Sequence, residues 1–199
     1  MSHEKYRLRY QAAETYRMDG RNEAAGTTFS LAAYELLGGS ELGDRNELLT
    51  AVTTLTEAAI CYRIGGHDRR CSIRCRQGES VVDELDALLY EREPFEALAH
   101  ELRGDFRLIA GRKGHRKHHR RARAIYAEYE DESDRWQGTD EFEAALDPFL
   151  KAADAVGHQY DHYQPLDDLS LLSRLFEKKY HFGEVLRELE RAGTWNWDR

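Results

Sequence analysis

The chain has 199 residues, enough for one domain with its own core and too short for two of ordinary size. Acids outnumber bases 37 to 29, hydrophobic residues make up 41% and mean hydropathy is -0.77, which excludes a membrane-embedded body. No apolar run approaches the ~18 residues of a spanning helix. The three cysteines lie between Cys61 and Cys75, too few and too clustered for a secreted disulfide framework, and Met1 to Tyr10 carry no signal-like apolar stretch, so reduced thiols and a cytoplasmic location are expected.

Helical periodicity organises the chain from its start. A first hairpin is predicted over about 5–38, with Gly20 at its turn and Gly38-Gly39-Ser40 as its stop. In its second helix Ala25, Phe29, Ala32 and Leu36 share one face. A second hairpin, about 44–91, opens at Asp44 as N-cap with Glu47 three residues on. Leu48, Val52, Leu55, Ala59 and Tyr62 form its first stripe, Gly65-Gly66 its turn, and Cys71, Cys75, Val82, Leu85 and Leu89 its second stripe. Gly78 weakens that second helix by about 1 kcal/mol relative to alanine.

A third hairpin is predicted over about 94–133. Pro94 opens it, Phe95, Leu98, Leu102, Phe106 and Ile109 form the stripe, and Gly111 to Gly114 offers the turn. Its second helix is apolar only from Ala122 onward. A fourth hairpin, about 139–192, carries Phe142, Ala145, Leu146, Phe149 and Ala153 with Pro148 inside, then Leu172, Phe176, Phe182, Val185, Leu186 and Leu189, and is expected to cap the array. No stretch alternates long enough for a strand. The fold class expected is all-α, in one domain spanning 1–199.

The chain also copies itself at an offset of 46 residues: Ala12, Ala13, Tyr16, Gly20, Ala25 and Phe29 recur as Ala58, Ala59, Tyr62, Gly66, Cys71 and Cys75. This order resembles the tetratricopeptide repeat over about residues 5–38 and 54–80, where small residues let paired helices approach and aromatics fill the space beside them. The resemblance implies antiparallel hairpins stacked in a right-handed superhelix whose concave groove, lined by polar residues of the first helices, binds a peptide segment of a partner protein. No catalytic residue and no cofactor follow from it.

Where the copying fails, the composition changes. Arg112 to Arg123 carries seven bases (Arg112, Lys113, Arg116, Lys117, Arg120, Arg121, Arg123) and no acid, leaving 22 bases against 37 acids elsewhere. Positive charge at a helix start opposes the macrodipole unless anions compensate. The compensating charge can be phosphate, of nucleic acid or of a modified partner, or the chain's own acidic stretch Glu128 to Asp134. His115, His118 and His119 would strengthen anion binding at acid pH. Cys61, Cys71 and Cys75 read as small core residues. His158 and His162, four apart, form a weak candidate metal pair without the glutamate of the zinc-protease pattern.

The function expected is therefore a non-catalytic protein-binding scaffold. The alternative is nucleic-acid or phosphate binding through 112–123, and the third reading is a metal-dependent enzyme. Self-association is a further expectation, through the apolar end of the array or the tail Trp195-Asn196-Trp197, the alternative being that this tail folds back onto the array.

Overall fold

The computed structural model describes residues 2–39, 44–89, 95–129, 139–157 and 170–195. Among these residues there are eight helices and no strand: α1 (Ser2–Met18), α2 (Asn22–Gly39), α3 (Arg45–Ile64), α4 (Asp68–Leu89), α5 (Phe95–Ile109), α6 (His115–Glu128), α7 (Asp140–Ala155) and α8 (Leu171–Ala192). None of them is long and apolar enough to cross a membrane. Pro94, His158, His162 and Trp197 lie outside the described residues, as does Glu130 to Asp134 of the acidic stretch.

Three turns share one construction. Gly20 N donates to Arg17 O and Arg21 N to Tyr16 O; Gly66 and His67 repeat this on Arg63 and Tyr62; Gly111 and Arg112 repeat it on Leu108 and Arg107. Each glycine is left-handed, at φ 70, 72 and 64°, because this helix-ending motif needs a residue without a Cβ penalty. The third turn glycine is thus Gly111. Gly114, at φ 98°, instead stands at the N-cap of α6. In this frame Arg107 takes the place of Tyr16 and Tyr62, while Gly104 takes that of Ala13 and Ala59.

Close helix approach explains the small residues. A methyl group on Gly78 would lie 2.1 Å from the Phe106 ring, so α5 packs onto α4 through that glycine. Gly78 costs helix propensity and gains a packing site. Gly104 does the same for His119, whose ring a methyl group would approach to 2.2 Å. The cysteines are core residues: Cys61, Cys71 and Cys75 are all buried and unpaired.

The consecutive helices α1 to α6 each pack on the next, as a stack of hairpins requires. Asp44 caps α3 by accepting from the backbone N–H of Asn46 and Glu47. Apolar residues lie all round α3, and it is buried along most of its length. The reason is the last pair, which does not simply cap the array: α7 packs on α3, while α8 packs on α6, α3 and α5. Phe142 stacks on Phe95, and Thr53 Oγ1 meets Ala144 O at 3.3 Å. After α8 the chain returns to the first turn. There Arg17 Nη1 donates to Trp195 O at 2.6 Å, Asn22 Nδ2 donates to Gly193 O at 2.8 Å, and the Trp195 indole is fully buried.

Candidate functional site

Arg112 and Lys113 lie in the turn before α6, and the rotation of that helix, one turn per 3.6 residues, divides the rest of the basic segment among several environments. Arg112 reaches across to Glu79 of α4 at 2.5 Å, and Arg107 shares that carboxylate at 2.9 Å. Arg121 pairs with Glu96 of α5 at 3.0 Å. Lys113, Arg116, Lys117, Arg120 and Arg123 point outward and have no acidic partner among the described residues. His118 meets His100 at 3.2 Å, and desolvation, Arg107 and His100 hold its pKa down to about 4. It therefore stays neutral at mildly acid pH and adds no charge there.

His119 turns inward to a buried polar chain. Its Nε2 lies 3.0 Å from Asp105 Oδ1, while Lys178 Nζ contacts Asp105 Oδ2, Glu101 Oε1 and Ala145 O, and Tyr126 donates to Glu101 Oε2. Desolvation pulls the Lys178 ammonium down, but Asp105 and Glu101 outweigh it and leave the pKa raised. Both carboxylates are thereby engaged. The cluster ties α8 to α5 and α6 and is closed to solvent, so it serves the fold.

An open cavity of about 480 Å³ lies between α1, α3 and α7. Tyr6 and Tyr10 come from α1, Thr50, Thr53 and Thr54 from α3, and Glu143, Asp147 and Leu150 from α7. Each helix presents residues three or four apart, hence on one face. Behind the wall sits Glu57, buried, with Oε1 accepting from Tyr10 at 2.9 Å and from Lys151 at 2.8 Å. Lys151 also pairs with Asp147 at 2.7 Å and reaches the Tyr10 hydroxyl at 3.1 Å. Glu57 Oε2 has no hydrogen-bond partner.

Burial dominates the electrostatics here. Desolvation pushes Glu57 up to about 7, helped by the Asp147 and Glu14 carboxylates and opposed by Lys151. Tyr10 is pushed up by burial and by Glu57. Desolvation lowers Lys151, but Glu57 and Asp147 more than reverse it. Neither Tyr10 nor Lys151 is therefore a base at neutral pH, and Glu57 is withdrawn behind both. The cavity presents hydrogen-bonding groups without an activated nucleophile.

None of the cavity's residues stood out in the sequence as a site. The only local signals are ordinary i, i+4 pairs such as Tyr6 with Tyr10 and Asp147 with Lys151, and charge alone could not separate these from a solvated face. Among the described residues no group of three or more His, Cys, Asp or Glu is arranged to hold a metal ion. Comparison with protein-family models, with curated proteins and with solved structures finds no match to this chain.

Proposed function

We propose that the protein is a non-catalytic scaffold, a tetratricopeptide-like stack in a right-handed superhelix, that binds a peptide segment of a partner protein in the cavity between α1, α3 and α7. The observation that carries this reading is the origin of the cavity wall. Tyr6, Tyr10, Thr50 and Thr54 belong to the first helices of the first two hairpins, which line the peptide groove in a stack of this kind. α7 packs on α3 and α5, and α8 on α3, α5 and α6; on the proposed reading they cover the rest of the groove and leave this cavity, between α7 and the first two hairpins, as its open part. Its volume suits one or two side chains of an extended segment. Three unpaired, buried thiols suit the reducing cytoplasm in which we place this function.

Selection from a random peptide display library tests the reading. Peptides enriched on the wild-type protein are expected to be lost on Thr50→Trp, which fills the cavity from a position on its rim, with helical content by circular dichroism unchanged. Enrichment that survives the filled cavity would overturn it.

A second reading rests on a different surface. The outward cations Lys113, Arg116, Lys117, Arg120 and Arg123, unpaired among the described residues, favour a nucleic acid or other polyanion on the free face of α6. Arg112 and Arg121 contribute less to it, because Glu79 and Glu96 already neutralise them.

A further inference from the structure

We propose that the group entering the cavity is cationic, a lysine or arginine side chain of the partner segment; this rests on the reading that the cavity is the peptide site. The hydrogen-bonding state of the wall argues for it. Thr50 Oγ1 donates to Asn46 O at 2.8 Å, Thr53 Oγ1 to Leu49 O at 3.1 Å and Thr54 Oγ1 to Thr50 O at 2.7 Å. Each hydroxyl has spent its single proton, so what it offers a ligand is lone pairs. The one ammonium nearby, Lys151, is held by Glu57, Asp147 and the Tyr10 hydroxyl. An anionic or acceptor-rich ligand would find these donors already engaged.

Charge points the same way. Glu143 stands exposed on the rim with no partner among the described residues, and Asp147 is 42% exposed beside it. With Glu57 behind them, three carboxylates face one ammonium. A cleft walled by one sign of charge concentrates the opposite sign. An ammonium or guanidinium supplies the N–H donors that these oxygens lack, and Leu146 and Leu150 give its methylene stem an apolar wall. A cation placed there also favours the ionised form of Glu57. Binding should therefore release protons near neutral pH, given that Tyr6, Tyr10 and Glu14 of α1, Cys61 of its own helix, and Asp147 and Lys151 of α7 are ionisable groups that interact with it.

The test is a nitrogen-15 NMR titration of the whole protein with four blocked pentapeptides, two glycines on each side of lysine, arginine, norleucine or glutamate, and with spermidine as a free amine. The lysine and arginine peptides are expected to shift the amide signals of Thr50, Thr54 and Asp147, and norleucine and glutamate to leave them in place. Glu143→Gln, on the exposed rim, should weaken the shift several-fold without disturbing the fold, and Glu143→Gln with Asp147→Asn should weaken it at least tenfold. Equal shifts from all four peptides, or none from any of them or from spermidine, would overturn the cationic assignment. Saturation by spermidine while the lysine and arginine peptides shift nothing would overturn the peptide source. Library peptides that depend on an open cavity yet lack basic residues would sink this inference while leaving the proposed function standing.

Discussion

Lys178 Nζ donates to Glu101 Oε1 at 2.5 Å across 77 residues of chain, with both side chains sealed from water. The same ammonium contacts Asp105, which in turn holds His119. One residue of α8 therefore fixes two of α5, and through them the start of α6. Together with the Lys151–Glu57 and Arg63–Glu190 pairs, this tie adds directional contacts to the apolar packing of the last helix pair, which by itself is poor at specifying register.

Removing Lys178 should expose how much depends on it. Lys178→Met leaves two buried carboxylates short of a cation, and breaking one partner of a buried pair costs about 3–5 kcal/mol. A loss of unfolding free energy of that size, read as a lower urea midpoint, is expected, with part of it recovered in the triple variant Lys178→Met, Glu101→Gln, Asp105→Asn. A single variant as stable as the wild type would contradict this account.

Two helical glycines should answer oppositely to the same substitution. Gly104→Ala forces a methyl group to 2.2 Å from the His119 ring and is expected to destabilise by about 1–3 kcal/mol, the usual cost of overpacking. Gly183→Ala meets nothing closer than 3.6 Å and should be neutral or stabilising by up to about 1 kcal/mol, the helix-propensity gain. Thermal or urea unfolding of both variants settles the comparison, and similar effects at the two sites would show that His119 does not need the space.

The pH dependence of stability should carry the mark of Glu57. Its pKa stands at about 7 in the fold against an ordinary 4.5, so the folded chain holds this proton more tightly than the unfolded chain. The resulting stabilisation is full below pH 4.5, declines as pH rises through the interval and is gone above about 7. Glu57→Gln has no proton to lose. Its stability relative to the wild type is expected to rise between pH 5 and 7 and then level off, in urea titrations at several pH values. A constant difference would mean that Glu57 is ionised throughout.

For the basic face, a mixed-sequence DNA duplex is the direct probe. If all five outward cations engage phosphates, affinity should fall roughly 500-fold between about 50 and about 200 mM salt. Arg116→Glu with Lys117→Glu and Arg120→Glu should abolish retention, whereas Arg121→Glu, which mainly loses Glu96, should weaken it far less. Retention unchanged in the triple variant would remove this second reading.

The helices themselves were legible because their signals are local. Stripes such as Leu48, Val52, Leu55 and Ala59 declare one buried face whatever they face, and Asp44 caps α3 through bonds to its own next residues. Choosing between Gly111 and Gly114 as the third turn glycine was not local. Both are left-handed, and the hydrogen bonds distinguish them: Gly111 N and Arg112 N reach back to Leu108 O and Arg107 O, whereas Gly114 O accepts from Lys117 N at the start of α6.

The basic segment shows the limit most clearly. As sequence it is one block of charge, because adjacency along the chain is all that can be read. In space the turn before α6 brings Arg112 to an acid of α4, and the helix turns successive residues about 100° apart, so Arg121 meets an acid of α5, His119 enters the core, and Arg116, Lys117 and Arg120 face outward. The cavity was beyond reach for the complementary reason: Tyr10, Glu57 and Lys151 are far apart in the chain and become neighbours only when α1, α3 and α7 come together. The sequence by itself determined that this is a helical chain with close-packed turns, since periodicity and glycine conformation act over a few residues. Which charges are spent, which remain and where a ligand fits was decided by tertiary packing, which alone chooses the neighbours.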